Sequence, residues 1–587
     1  MNQLLKRSFD KMGYTYEFLT DIHKLKFDNN YVFQDEDKVV LALKNAHDKH
    51  LKVVIISDFD IDGISSGVIS YSGLSLLGFD VELYMPDVNN GYGFDCEDID
   101  RILRQWPDTN LILTCDVGVT CNDAIAYAQS KEIWVYVTDH HIEKKRSTAD
   151  AIVDPSRNDS DCDFDGVCGA YMIYHVLMLY ANMTGNDAII ALMKHLSLFA
   201  SMGSCGDLMP VIYDTRAVII DGLSEFNRLL DCDTLEDYFG CSLDLLPEVY
   251  IAPFDNLRRF HFWLLRNGGI GHGDVTDVMY GFTYCPMFNS VKRMGESLQN
   301  LYHMFYRRYD WGADELDDIF TWLYNFNLQR KALVNQMYER LIEDDLQALA
   351  PYVFITDTKP GILGLLAIKL MAVTGRPCMV LEDNGDCYSG SGRTPAWFSP
   401  HLLNYENVVV NGHAHAFGIS IPKAECAEFA RYLHETTESE MARIELEKIG
   451  SNMQDPRFIV CVNSHSCYDD YDFSVVTTND YDACVDYTHE IEKFRPFGNG
   501  FPEPEFLLKF TRKDIREVRT MGENGKHLKI ELDHNIYAVY FNGTDVYRSI
   551  ISSCDNDDYV FCVSGKFNMN EFAGSVTLQF MINSHVC

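Results

Sequence analysis

The chain has 587 residues, 47% of them hydrophobic, and 49 Lys and Arg against 87 Asp and Glu give a net charge of −38. Such a length exceeds what one core supports and predicts about three domains, while the composition excludes a disordered chain. The acidic balance excludes broad attraction to a phosphate backbone, so any nucleic-acid site has to be local.

The first residues, MNQLLKRSFDKMGYTYEF, carry charges every few positions and no apolar signal segment, and later apolar stretches are interrupted. This predicts a cytoplasmic protein with no membrane partner. The 18 cysteines are scattered without a C-x-x-C pair, which predicts reduced, packed thiols and argues against structural zinc or iron–sulfur binding.

From about Glu36 to Lys145 the pattern alternates. HLKVVIIS, DVELYMP, TNLILTCD and IWVYVTD read as strands, and GISSGVISYSGLSLLG, CEDIDRILRQW and CNDAIAYAQS as the helices between them. That order predicts an α/β fold built on a parallel sheet covered on both faces. A helical stretch from Gly169 to Ser204 follows, then a less regular segment to about Tyr309. LDDIFTWLYNFNLQRKALVNQMYERLIEDDLQAL reads as one long polar-faced helix, a spacer between lobes. YVFITD, ILGLLAIKLMAVTG and PCMVLED then repeat the strand–helix–strand pattern, and short alternating runs such as HLKIELD, IYAVYFNG and SVTLQFMIN predict an all-β end, barrel or sandwich. The expected divisions are an N-terminal segment 1–45, a first α/β domain 46–320, a connecting helix 321–350, a second α/β domain 351–450 and a β domain 451–587.

In open parallel sheets ligands bind beyond the carboxyl ends of the strands. Three such ends carry acid or imidazole: Asp58, Asp60 and Asp62 in SDFDIDG, Asp116 in LTCDVGVT, and Asp139, His140 and His141 in VTDHHIE. If the first segment stays extended, its alternate aspartates project to one side and converge. Singly, each feature has an ordinary explanation: Asp62 as a helix cap, Asp116 in an Asx-turn, DHH as a solvated loop. Together, so many carboxylates call for a cation, and hard oxygen ligands with imidazole suit Mn²⁺ or Mg²⁺.

SDFDIDG, CDVG, TDHH and, further on, GSCGDLMP with Asp207 occur in the order of the four motifs of the DHH phosphoesterase superfamily. FNSVKRMG, PGILGLLAIKL, GSGRT, NGHAHAFG and PFGNGFPEPEF resemble the later signatures of the RecJ-type single-strand exonucleases. The resemblance implies a two-metal centre in which Asp60, Asp62, Asp116, His140 and Asp207 are ligands, Asp58 and Asp139 sit on or just behind the ions, and His141 stands near the scissile phosphate. It implies that Asn289, Arg293, Ser391, Arg393 and His413 hold the substrate, with Ser389–Thr394 as a small-residue turn whose N–H groups approach a phosphate. Two departures from the family pattern are Asn411, where glycine is more common, and Lys359, in a segment that often carries histidine.

The last domain resembles the OB-fold of the same enzymes, and Phe506, Lys526, His527 and Lys529 are its candidate strand-binding residues. The resemblance as a whole implies a metal-dependent 5′→3′ exonuclease that hydrolyses single-stranded DNA to 5′-mononucleotides. It would act as a monomer, with a single-strand-binding protein, helicase or polymerase as candidate partners. The alternatives are a phosphodiesterase for short oligonucleotides or cyclic dinucleotides, against which the C-terminal part weighs, and a non-catalytic single-strand-binding relative, against which the full set of ligands weighs.

Overall fold

The computed structural model describes the chain apart from residues 1, 16–17, 20–30, 87–92, 144, 163, 272, 309–313, 344–351, 396, 414, 452–473, 523–524, 542, 544–556, 558–559, 573–574 and 587. The described residues fall into two compact units. One holds Lys26–Thr437 and Gly498–Phe501, the other Met1–Leu25, Glu438–Phe497 and Pro502–Cys587.

The first unit opens on a five-stranded sheet, ordered β2-β1-β3-β4-β5, in which every pairing is parallel. Its strands are β1 (Lys52–Ser57), β2 (Asp80–Tyr84), β3 (Thr109–Cys115), β4 (Trp134–Thr138) and β5 (Ala151–Val153). Val53 to Ile56 are all fully buried, because helices cover both faces of the sheet. Val53 and Ile55 face a core shared with the helices Ile61–Leu76 and Gly169–Thr184, and Val54 and Ile56 face the helices Cys96–Gln105 and Asn122–Ser130. The stretch Asp187–Gly206 has the length and apolar composition of a membrane span, yet 61% of its most apolar window is buried inside the protein and it is split into the helices Asp187–His195 and Ser197–Gly206.

The long helix runs from Asp314 to Glu343, starting before the expected 321. It is less a spacer than a shared wall. Leu316, Phe320 and Leu323 pack into the first core, and Val334, Met337 and Leu341 pack with Phe354, Leu366 and Val380 of the second. That second core lies on β6 (Val353–Ile355), β7 (Cys378–Asn384), β8 (Cys387–Arg393), β9 (Val409–His413) and β10 (Ala416–Pro422), ordered β6-β7-β8-β10-β9. Only β6 and β7 are parallel, joined through the helix Leu363–Thr374; the remaining pairings are antiparallel.

In the other unit seven strands form one sheet, ordered β11-β12-β16-β17-β15-β14-β13: β11 (Ser474–Thr477), β12 (Phe506–Thr511), β13 (Ile515–Met521), β14 (His527–Leu532), β15 (Ile536–Tyr540), β16 (Val560–Phe572) and β17 (Ser575–Val586). The expected N-terminal segment 1–45 does not hold together as a piece. The helix Gln3–Lys11 belongs with the β unit, where the Arg7 guanidinium donates to the Val475 carbonyl at 2.7 Å and the Phe9 and Phe494 rings pack at 5.1 Å. The helix Glu36–Asp48 belongs with the first α/β core, through Val39 and Leu43.

Candidate metal centre

Ser57, Cys115 and Thr138 are paired across β1, β3 and β4. The residue after each is therefore delivered to the same carboxyl edge of the sheet, and those residues are Asp58, Asp116 and Asp139. Asp116 turns there in the left-handed region, φ 62°, with its N–H donating to the Thr138 carbonyl at 2.9 Å.

The SDFDIDG segment leaves the strand after Ser57 and turns into a helix at Ile61. Asp60 caps the helix Ile61–Leu76, its Oδ1 accepting from the N–H groups of Asp62 (3.0 Å) and Gly63 (3.2 Å), so the cap is Asp60 and not Asp62. Asp62 lies in the first helical turn, and its two oxygens accept the N–H groups of Gly169 (2.7 Å) and Ala170 (3.0 Å) at the start of another helix. Asp58 and Asp60 still come together, brought there by a strand-to-helix turn and not by strand alternation, while Asp62 falls in a neighbouring group.

Asp58, Asp60 and Asp116 form one group, each offering a ligand atom within 4.8 Å of the others. Asp62, His140 and Asp207 form a second group, and Asp116, His140 and His141 a third that joins them. His140 Nε2 stands 3.2 Å from Asp116 Oδ1, 3.7 Å from Asp62 Oδ2 and 3.7 Å from Asp207 Oδ2. Asp207 arrives from the end of the helix Ser197–Gly206, and its Oδ2 is buried without a hydrogen bond among the described residues. A buried acceptor left unsatisfied among carboxylates and an imidazole is what a hard divalent cation fits.

Electrostatics point the same way. Burial pushes Asp58 up to about 7. Burial, then Asp62 and Asp60, push Asp116 and Asp207 well above the carboxylate range. Asp60 goes down in spite of its burial, because the Lys292 ammonium and the Gly63 N–H favour its charge. Lys292 was not singled out in the sequence. Its Nζ lies 3.9 Å from Asp58 Oδ2 and 3.9 Å from Asp60 Oδ2.

Asp139 is not grouped with the ligand sets. Its Oδ1 accepts the His140 (2.8 Å) and His141 (3.3 Å) N–H groups and faces His141 Nδ1 at 2.8 Å, and its Oδ2 accepts the Val119 N–H at 2.9 Å. These contacts tie its carboxylate to the two histidines that follow it. Two further features escaped sequence reasoning. Asp154, one residue past β5, is buried and pushed up to about 8 by that burial and by Asp139. Gly169 and Gly203 lie against the carboxylates: a Cβ on the first would stand 2.6 Å from Asp116 Oδ1, and one on the second 2.4 Å from Asp62 Oδ1.

Of the expected substrate residues, Asn289 is occupied within the site, its Oδ1 accepting the Ile61 N–H at 2.8 Å. Arg293 is held down by burial, as is Arg393, which Arg293 also repels. The same repulsion reaches Arg330 on the long helix, brought to about 10 chiefly by burial. Ser389–Thr394 is no turn. Residues 387–393 are a strand between β7 and β10, whose N–H groups serve the ladder, and its glycines admit neighbours: a Cβ on Gly390 would meet the Val380 carbonyl at 2.1 Å. Arg393 Nη2 and Ser391 Oγ instead lie against Gly364, in the first turn of the helix Leu363–Thr374. His413 ends β9, and its side chain is outside the described residues. Asn411 pairs regularly with Gly418 in that strand, and Lys359 is occupied, Nζ donating to the Met294 carbonyl at 2.6 Å.

In the β unit Phe506 is fully buried, packed between Tyr487 and Phe567, so it offers no stacking face. Along β14, Leu528, Ile530 and Leu532 are buried while His527 and Lys529 face outward. Lys529 Nζ lies 4.3 Å from the Tyr537 ring centre and His527 packs on Phe541, which is 55% exposed; Lys526 is exposed just before the strand. Tyr537 and Phe541 are the aromatics that Lys529 and His527 pack against, and both are at least partly exposed.

Two family models match this chain: the DHH family, N-terminal domain, over residues 52–203, and the RecJ OB domain over residues 477–584. The single-stranded-DNA-specific exonuclease RecJ of Escherichia coli (strain K12) is 30% identical over 578 residues, covering 93% of this chain and 89% of that protein. This chain belongs to the RecJ family. The RecJ of Haemophilus influenzae is 23% identical, over 93% of this chain and 90% of the relative. The crystal structure of RecJ in complex with Mn²⁺ from Thermus thermophilus shares the fold, with a TM-score of 0.68 at 20% identity over 99% of this chain and 77% of that one; the RecJ structure with Mg²⁺ from the same source gives 0.63 at 19%, over 99% and 76%. The DHH match ends before Asp207, so membership in RecJ rests on the whole chain and not on the first domain alone.

Proposed function

We propose that this chain is a metal-dependent exonuclease that hydrolyses single-stranded DNA from the 5′ end to 5′-mononucleotides. The observation that carries the reading is the pair of ligand sets linked through Asp116 and His140 on the carboxyl edge of the sheet, in a RecJ family member.

Asp58, Asp60 and Asp116 would hold one Mn²⁺ or Mg²⁺ ion, and Asp62, His140 and Asp207, with Asp116 between, the other. Two such ions, when bound, activate a water and stabilise the leaving oxygen at phosphorus. The chain's own groups do the rest. Asp139 fixes His141 through Nδ1, so Nε2 of that half-exposed ring presents its proton to a phosphate oxygen. Arg293, Arg393 and Ser391, beside the start of the helix Leu363–Thr374, hold the terminal nucleotide's phosphate, which gives the 5′ polarity. His413 is the remaining candidate contact there. Lys526, His527, Lys529, Tyr537 and Phe541 bind the strand beyond by charge and stacking.

Residues 46–320 would form the catalytic domain, 351–437 the domain that holds the nucleotide, and 474–587 with the N-terminal helix the strand-binding domain. Action as a cytoplasmic monomer beside a single-strand-binding protein, helicase or polymerase accords with this chemistry. The test is release of mononucleotide from single-stranded DNA by the wild type and Asp116→Ala. Metal-dependent release by the wild type alone supports the reading, and equal release by both refutes it.

A further inference from the structure

Lys292 sits in the last turn of the helix Cys285–Arg293 with its ammonium 3.9 Å from a carboxylate oxygen of both Asp58 and Asp60. Those distances exceed hydrogen-bond reach, and Lys292 makes no hydrogen bond among the described residues. The head is steered instead by charge and by the Phe59 ring, whose centre lies 3.9 Å from Nζ. Phe59 is buried between the two aspartates, so the ring is a fixed platform, while the lysine side chain is 33% exposed and opens to solvent. A cation is thus aimed at one ligand set with all three donors unspent.

Building on the functional reading above, we propose that Lys292 is a phosphate-positioning residue: once divalent cations satisfy Asp58 and Asp60, its ammonium turns to a non-bridging oxygen of the phosphate held at the same site. Two positive charges cannot both claim these carboxylates. Ion binding converts the attraction on Lys292 into repulsion, and the only negative charge then arriving at the site is the substrate's phosphate. A flexible four-carbon stem pivoting on an aromatic face makes that exchange without backbone movement. The contact is to backbone phosphate, so it adds affinity without sequence preference.

The test compares the wild type with Lys292→Met and Lys292→Arg. Mn²⁺ alone is titrated by calorimetry. Binding is then measured by anisotropy, with Mn²⁺ and over a range of salt, to an oligonucleotide whose first linkage is a methylene-bridged phosphonate that keeps its charge and resists cleavage. Lys292→Met is expected to bind Mn²⁺ at least as tightly as the wild type, yet to bind the oligonucleotide about tenfold more weakly with a salt slope shallower by about 0.7. Lys292→Arg should recover most of both. Weaker Mn²⁺ binding with unchanged oligonucleotide affinity and slope would overturn the proposal and leave Lys292 a counter-ion of the empty carboxylates. A wild type that neither binds Mn²⁺ nor degrades single-stranded DNA would remove the functional reading itself, and this proposal with it.

Discussion

Asp139 Oδ1 and His141 Nδ1 lie 2.8 Å apart, and the same oxygen accepts both histidine backbone N–H groups. Against the pull of burial, this carboxylate raises His141 to about 9. A histidine raised on folding contributes stability that is complete below its unfolded value of about 6.5 and is lost as pH rises through the folded one. In EDTA-stripped protein, the difference in melting temperature between the wild type and Asp139→Asn is therefore expected to be largest near pH 6 and to shrink through pH 9. With metal, the same variant should lose about 10- to 100-fold in activity, because the carboxylate orients both histidines.

The carboxylate cluster predicts a trade between stability and metal binding. Asp116 is pushed up by burial and by four neighbouring aspartates, so its ionised form burdens the metal-free fold. Asp116→Asn should melt a few degrees higher than the wild type in EDTA, whereas Mn²⁺ should raise the melting point of the wild type only. Calorimetric scans with and without Mn²⁺ measure both, and a Mn²⁺ shift retained by the variant would count against Asp116 as a ligand.

Gly203→Ala places a methyl 2.4 Å from Asp62 Oδ1. Overpacking of this kind costs about 1–3 kcal/mol, and here the strain falls on a candidate ligand. Mn²⁺ affinity measured by titration should drop in the variant while circular dichroism shows the fold retained.

How much of this was legible beforehand follows the physics of each residue. The strand ends at Asp58, Asp116 and Asp139 could be read because β-branched runs mark buried parallel strands, and their carboxyl ends mark the ligand edge. The different surroundings of Asp139, hydrogen-bonded to Val119 and His141, and of Asp207, which lies with Asp62 and His140, were not legible, since such contacts depend on tertiary placement. Lys292 escaped for the same reason: it is 232 positions from Asp60 and only packing brings them together. Ser389–Thr394 misled because glycines, read as turn formers, here admit a neighbouring carbonyl and the Phe417 ring into a strand. Phe506 misled because an aromatic beside a conspicuous motif is as readily core as contact, whereas the alternation in HLKIEL marks the outward His527 and Lys529.

The β unit separates packing from binding. Phe506→Ala removes a fully buried ring and should cost about 3–5 kcal/mol of that unit's stability. Tyr537→Ala and Phe541→Ala should leave melting nearly unchanged and weaken binding of long single strands by about 1–3 kcal/mol per lost stack, without affecting cleavage of dinucleotides. Anisotropy with long and short strands distinguishes the two classes.

Digestion of single-stranded DNA labelled at either end, with Mn²⁺, Mg²⁺ or EDTA and a duplex control, puts the proposed activity to its sharpest test. Metal-dependent release of the 5′ label as mononucleotide is expected, with a 3′ label that persists until late and a spared duplex. Label lost first from the 3′ end, or cleavage undiminished in EDTA, would contradict it.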